Sequence, residues 1–389
     1  MVNKFDYTLG IDASNLRDGG GLGHISQILN TVDPQEFGIN QVLIWAGKKT
    51  LDNLPIRKWL KKKHVPTLDK TLPYRILWRQ CELLNNIRKT NCNALFAPGG
   101  LIPNGSTVPT ITMSQNLLPF VKKEIQRFPL LSLDRLRFVL LRYGQMSSMK
   151  RANGIIFLTQ YAQNVVLKEL KTYTGLHTII PHGIEKRFFS SSFKKNKPLS
   201  DYSISNPFKL LYVSTVYYYK HQWQVAKAVT NLRDRGFPVV IDFIGNGHPV
   251  AKNMLNKTIK NLDPKGAFLR YNEGVPFEKI NSVYQTADAF VFASSCETFG
   301  SVLLEAMAAG LPVASTRGGA MSEILGDSAV YFDPEKIKDI EIALETLLKD
   351  LNLRELLAKA TFEKAKQYSW EQCSKETFSF ISNTINGCT

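Results

Sequence analysis

The sequence predicts an α/β protein built as two doubly wound parallel-sheet domains facing a cleft. Three observations carry that expectation. The chain has 389 residues, more than the roughly 250–300 over which a single hydrophobic core grows. Short apolar runs alternate with stretches of helical periodicity in both halves, the pattern of βαβ units. Between the halves lies a segment rich in Lys, Ser, Asn and Pro, residues 190–207, with little to bury, and it reads as a linker.

In the first half the expected strands are Tyr7–Ile11, Gln41–Ala46, Ala94–Ala97, Thr110–Met113, Ile155–Leu158 and Thr178–Ile180. A helix is expected to start over Ile25–Asn30, after a glycine-rich turn, and another covers Leu131–Lys150. The second half is cleaner. Its strands are Lys209–Val213, Val239–Gly245, Ala267–Tyr271, Ala289–Ala293, Val313–Thr316 and Ala329–Phe332, with helical periodicity between them. Ile337–Ser382 reads as helical with a break near Tyr368–Trp370.

With 44% hydrophobic and 21% charged residues the chain has apolar material for two cores, which excludes a disordered protein. Its outlying property is charge: 49 Lys+Arg against 33 Asp+Glu, a net of +16. Residues 1–184 hold 24 basic and 11 acidic residues, net +13, and residues 185–389 hold 25 and 22, net +3. Such a surplus points to an anionic partner: nucleic acid, an acidic membrane surface or a phosphate-bearing substrate. Five scattered cysteines without a C-x-x-C spacing favour reduced thiols over a disulfide framework or a zinc site. Met1 runs straight into a strand without a signal-peptide pattern, and no apolar run reaches the roughly 18 residues that span a bilayer. The expected setting is cytoplasmic, with any membrane contact peripheral.

Leu133, Leu136, Val139, Leu140 and Tyr143 share one face of the basic Leu131–Lys150 helix. This fits a helix lying on an acidic bilayer. The commoner alternative turns the apolar side into the core.

Four segments carry chemistry. Gly19-Gly20-Gly21-Leu22-Gly23 follows the first strand, where backbone N–H groups approach an oxyanion closely; the alternative is a plain turn. Glu297, in the loop after Ala289–Ala293, lies at the carboxyl end of a parallel strand, where open α/β sheets take ligands. Gly300, Ser301 and Val302 open a helix that stops at Gly310 with Pro312 beyond it. Glu305, on that helix, projects back toward its start, so two carboxylates eight residues apart can flank one polyhydroxylated ligand. Lys220, after the Ser214–Tyr219 loop that follows strand Lys209–Val213, can neutralise a diphosphate, and Gly245-Asn246-Gly247 reads as a tight turn that admits a base or ribose. For each of these taken alone, a structural role is an open alternative.

Together these residues resemble the retaining, nucleotide-sugar-dependent glycosyltransferases of sequence family four (group 1), which have two Rossmann-like domains in the GT-B architecture. The likeness runs through Leu211–Val216 and Lys220, Ile244–Gly247, Tyr284–Ser294, Glu297–Gly300, Leu304–Val313, Gly318-Gly319, Ser322–Ile324 and the Trp370 segment, and in the first half through Gly20–Gly23 and Ile180–Ile184. It implies an acceptor-side domain over 1–189, a donor domain over 208–370 and a helix at 371–389 packing back toward the first domain. It also implies transfer of a hexose from a UDP- or GDP-sugar to a glycan or lipid-linked glycan acceptor, in polysaccharide or lipopolysaccharide synthesis. By the same resemblance Glu297 contacts sugar hydroxyls, Glu305 the ribose, and Lys220 the diphosphate. Phe299–Val302 offer backbone N–H groups, and Gly21 and Gly23 close over the phosphates.

Two positions depart from the family. Thr215 stands where an Arg is usual, and Gln115-Asn116 stand where a His-Asp pair is usual. An amide cannot act as a general base at neutral pH, but in retaining transfer the leaving phosphate can take the acceptor proton. No Asp-x-Asp occurs, and the expected reaction uses no metal and no cofactor beyond the nucleotide-sugar. Two other readings stand beside this one: a nucleotide-sugar epimerase of the same fold, and a non-enzymatic binder of anionic polymer. Nucleic acid is not the expected partner, because no RNA-binding signature is present.

Overall fold

The computed structural model describes residues 6–17, 19–190 and 196–388. Of the segments singled out above, Asp18 beside the glycine run and residues 191–195 of the 190–207 segment lie outside the described residues. The chain divides into two compact units. One holds the chain up to Phe120, Leu131–Gly183 and everything from Ser369 on; the other holds Val121–Leu130 and Ile184–Tyr368.

The strands of the first unit are β1 (Tyr7–Asp12), β2 (Ile39–Ala46), β3 (Leu60–His64), β4 (Ala94–Ala97), β5 (Thr110–Met113), β6 (Gly154–Phe157) and β7 (Leu176–Ile179). Among the described residues they form one seven-stranded sheet in the order β3-β2-β1-β4-β5-β6-β7, all pairs parallel. Every side chain of β4, β5 and β6 is buried, which is why those strands read as continuous apolar runs. β3, Leu-Lys-Lys-Lys-His, was not expected. It is an edge strand, and lysines are what an edge uses to discourage further pairing.

The second unit has β8 (Phe208–Val213), β9 (Val239–Ile244), β10 (Leu269–Asn272), β11 (Ala289–Phe292), β12 (Val313–Thr316) and β13 (Val330–Phe332). Their order is β10-β9-β8-β11-β12-β13, again parallel. In both units the chain adds strands on one side of the first strand and then returns to add on the other. That reversal opens a crevice at the strands' carboxyl ends, between β1 and β4 and between β8 and β11.

Three helices differ from expectation. The first begins at Gly19, not Ile25, and runs to Thr31, so the glycines form its opening turns rather than a loop. The long C-terminal stretch breaks twice. Besides the break before Trp370, Asp350 separates Ile337–Lys349 from Leu351–Ala365, its Oδ1 accepting from Leu353 N at 2.9 Å as an N-cap. Helix Leu133–Arg151 faces inward with Phe138, Gln145, Ser148 and Met149, and the Ser148 hydroxyl accepts from Ile102 N at 3.1 Å. This leaves Leu133, Leu136, Leu140 and Tyr143 exposed by 84%, 55%, 62% and 68%. The predicted row is therefore not the side turned into the core, although Val139 within it is half-buried. Among the described residues no helix is long and apolar enough to cross a membrane.

Candidate functional site

In the second unit the strand reversal brings the ends of β8 and β11 together. Lys220 follows β8 and Glu297 follows β11, and their side chains form an ion pair, Nζ to Oε1, with only 7% and 16% of each exposed. Ser294 Oγ donates to the same carboxylate oxygen at 2.7 Å. The ammonium also lies over the Phe292 ring, 4.8 Å from its centroid, and over Tyr219 at 5.2 Å, both cation–π distances.

The scaffold holding this pair was not singled out from the sequence. Tyr212, buried on β8, donates its hydroxyl to the Lys220 carbonyl and accepts from Ala293 N at 3.1 Å. Ser295 N donates to Tyr219 O at 2.8 Å, and Ser295 Oγ lies 3.0 Å from His221 Nε2. Burial pushes the His221 imidazole down to about 4 and the Cys296 thiol well above its usual range. Neither group is therefore poised to exchange a proton at neutral pH. No local sequence signal marks Tyr212, because the contacts it makes are set by strand adjacency.

Gly300 sits at φ +87°, a left-handed conformation that suits glycine, and turns the chain into helix Ser301–Ala308. The first turn of a helix presents N–H groups that its own ladder does not use. Ser301 is exposed and Val302 half-buried at this opening turn, while the Phe299 ring is buried against Tyr368, 5.7 Å between centroids. Any role of Phe299 toward a ligand is therefore through its backbone. Glu305 lies further along this helix, and Tyr284 Oη donates to its Oε2 at 2.7 Å. Burial pushes the Glu305 carboxyl up to about 7, against the opposing pull of the Tyr284 hydrogen bond.

Thr215 is exposed, and its carbonyl accepts from Gln222 Nε2 at 3.0 Å. The Gly245–Gly247 turn packs edge to edge with Ser214–Val216: Val216 N donates to Asn246 O and His248 N to Val216 O, both at 2.9 Å. A Cβ at Gly245 would stand 2.1 Å from Ser214 O, and one at Gly247 2.2 Å from Val216 O. The glycines are thus required by the approach of two backbones. Asn246 caps its own turn, its Oδ1 accepting from Gly247 N at 2.7 Å.

In the first unit, Gln115 and Gly21 adjoin: a Cβ at Gly21 would lie 3.2 Å from Gln115 Oε1. Gly23 is exposed, with nothing within 4 Å of its Cβ position. Asn116 Oδ1 accepts from Leu118 N at 3.1 Å, closing a local turn. The expected residues are therefore grouped as Lys220 with Glu297, Glu305 with Tyr284, Thr215 with Gly245 and Asn246, and Gln115 with Gly21.

Residues 196–364 match the family described as glycosyl transferases group 1. Over 110 residues the chain is 34% identical to the O-antigen chain mannosyltransferase B of Escherichia coli, an alignment covering 28% of this chain and 29% of that protein. The matched region thus spans less than a third of that relative's length. Among solved structures, sucrose-phosphate synthase from Thermosynechococcus elongatus superimposes with a TM-score of 0.74 at 14% identity, covering 98% of this chain and 100% of that one. Anabaena HepE in complex with UDP and glucose gives 0.69 at 15% identity, covering 97% and 100%. At such identities the structural likeness defines the fold: two Rossmann-like parallel-sheet domains, the GT-B architecture. The family match itself is confined to residues 196–364, which lie in the second unit.

Proposed function

We propose that the protein is a retaining glycosyltransferase that moves a hexose from a UDP- or GDP-sugar to a glycan or lipid-linked glycan acceptor in polysaccharide synthesis. The observation that carries this reading is the Lys220–Glu297 pair at the reversal point between β8 and β11. A cation and a carboxylate fixed there suit a ligand that is anionic at one end and hydroxylated at the other. In this reading Lys220 stabilises the diphosphate leaving group, where preorganised charge contributes most. Glu297 accepts hydrogen bonds from sugar hydroxyls, and Glu305, oriented by Tyr284, accepts from the ribose. The opening turn of helix Ser301–Ala308 offers N–H groups and a favourable partial charge to phosphate. The leaving phosphate takes the acceptor proton, so no step calls on Gln115 as a base, and neither metal nor cofactor enters. The relative bound to UDP and glucose supports the donor class, and the mannosyltransferase relative supports the acceptor class.

The test is incubation of purified protein with UDP- and GDP-hexoses and candidate glycan acceptors, with the anomeric configuration of the product read by NMR. Glu297→Gln keeps the size and a carbonyl toward Lys220, and is expected to lose at least about 100-fold in transfer. Undiminished transfer by that variant, or donor conversion that needs no acceptor, contradicts the reading.

We place this enzyme at an anionic membrane surface through helix Leu133–Arg151. Its outward row of Leu133, Leu136, Leu140 and Tyr143 is uncovered, and the helix carries five basic residues against one acidic, a composition that suits acidic lipid. Sedimentation with vesicles containing phosphatidylglycerol at low salt is expected, and Leu136→Ser with Leu140→Ser is expected to release the protein. Equal sedimentation of variant and parent counts against this surface, as does a parent dimer that the variant dissolves without any vesicle binding.

A further inference from the structure

The first unit has a reversal point of its own, between β1 and β4, and two arginines of one helix, Arg75 and Arg79, reach the segment just past β1. Just past β1, Asp12 is almost fully buried; its Oδ1 accepts from Ser14 N at 2.9 Å and its Oδ2 from Arg79 Nε at 2.9 Å. Arg79 Nη2 also donates to Ser14 Oγ at 2.8 Å. That pair is complete: two charges, both partnered, out of water.

One turn before Arg79 on helix Leu72–Cys81 stands Arg75, and it is not complete. Its Nη1 reaches Ser14 O at 3.4 Å, and its Nε is buried without a partner. Asn15 Oδ1, in the same post-β1 segment, is likewise buried without a partner, beside Gly99 past β4. Unpaired buried polar atoms are rare and costly, and here two of them occur past the carboxyl ends of β1 and β4; of the two, the Arg75 donor is the one that favours an anion. Burial first, then the charges of Arg17, Arg79 and Arg137, hold the Arg75 guanidinium below its usual range. Among the described residues neither Arg75 nor Arg137 forms an ion pair. Arg17 donates to the Asp69 carbonyl at 3.1 Å, while the Asp69 carboxylate serves His64 and Lys48 N at 2.7 and 2.8 Å.

We propose that Arg75, in the positive field to which Arg17 and Arg137 add, binds a phosphate or diphosphate group carried by the acceptor. A planar guanidinium fork matches phosphate oxygens, and such charge-assisted bonds are the strong ones. Arg75 as a whole is half-buried, so an anion meets the accessible side of its guanidinium and supplies the counter-charge that Arg75 lacks. The word acceptor rests on the transfer reading above; the anion site itself does not, and it can be measured without turnover. Leu72, Ile76 and Leu77, on the same helix as Arg75, are exposed, so the phosphate belongs either to a lipid-linked diphosphate or to a soluble sugar phosphate.

The test is calorimetric titration of the full-length protein at low ionic strength with two probes, geranyl diphosphate and glucose 6-phosphate, each with and without excess UDP. The parent is expected to bind at least one probe in the presence of UDP. Arg75→Gln and Arg137→Gln are each expected to weaken binding about fivefold or more, and Arg75→Lys less than Arg75→Gln. Arg137 is exposed, so its variant reports even where a change at Arg75 perturbs folding. Tighter binding of geranyl diphosphate identifies the lipid source, and tighter binding of glucose 6-phosphate the soluble one. Binding that UDP abolishes, binding unchanged in both glutamine variants, or no binding of either probe overturns the proposal. Loss of transfer activity in Glu297→Gln with intact titration separates the two readings.

Discussion

Lys220 and Glu297 lie 77 positions apart in the chain and meet as a nearly buried ion pair. Removing one partner from such a pair strands the other charge out of water, which costs about 3–5 kcal/mol. Lys220→Met leaves the Glu297 carboxylate with Ser294 alone; Glu297→Leu leaves an ammonium among Phe292 and Tyr219. Each single change is expected to lower the free energy of unfolding in urea by that order. The double change Lys220→Met with Glu297→Leu is expected to cost less than either, because no orphan charge remains. A double variant as unstable as the sum of the singles would mean the pair is not coupled.

Glu305 sets a pH dependence in the second unit. Burial raises its carboxyl to about 7, while an unfolded Glu titrates near 4.3. The folded state therefore holds the proton more tightly, and stability from this group is present below about pH 4.3 and lost as pH rises toward 7. The full loss across that window is at most about 4 kcal/mol. Glu305→Gln removes the titration, so its urea midpoint is expected to fall less than the parent's between pH 5 and pH 8. Parallel midpoint curves rule out a buried carboxyl as the source.

Much of the fold was legible because buried parallel strands announce themselves. Ala94–Ala97, Thr110–Met113 and Val313–Thr316 have the bounds expected from their apolar runs. β3 escaped because its three lysines obey the needs of a sheet edge rather than of a core. The helix start at Gly19 escaped because glycine is a poor helix former, so its presence argued for a loop. In helix Leu133–Arg151 the apolar row was visible but its direction was not, since the inward face is fixed by Gln145, Ser148 and their neighbours across the unit. The candidate site divides the same way. Glu297, Glu305 and Lys220 stand in recognisable segments, whereas Tyr212, Tyr284 and Ser294 matter only once strands β8 and β11 are side by side.

The turn at Gly245 makes a packing prediction. It combines φ +140° with a Cβ position 2.1 Å from Ser214 O, so an added methyl group meets rigid backbone on a paired loop. Gly245→Ala is expected to cost about 2–4 kcal/mol and to lower the melting temperature by roughly 5–15 °C. Gly236→Ala, also at positive φ but with open space around it, is expected to cost about 1 kcal/mol. Differential scanning calorimetry compares the two, and equal shifts would place the whole effect in φ rather than in the contact.

His24 and His182 give the first unit the opposite pH dependence. Their rings stack at 4.8 Å, with Trp370 5.8 and 5.5 Å from the two centroids. His24 is fully buried, and neither of its ring nitrogens has a partner. Burial holds His24 well below its usual value and His182 at about 4. Unfolded histidines titrate near 6.5, so the unfolded state takes up protons first as the pH falls. Stability from this pair is present above about pH 6.5 and is lost as the pH falls toward 4, by up to about 1.4 kcal/mol per pH unit for each ring. His24→Phe keeps an aromatic ring against His182 and Trp370 but removes one proton acceptor and two unpaired polar atoms. Its free energy of unfolding is expected to be at least the parent's at pH 7.5 and to fall less steeply between pH 6.5 and pH 5, as read by guanidinium titrations at successive pH values. A variant with the parent's slope over that range shows that the buried pair is not what acid attacks.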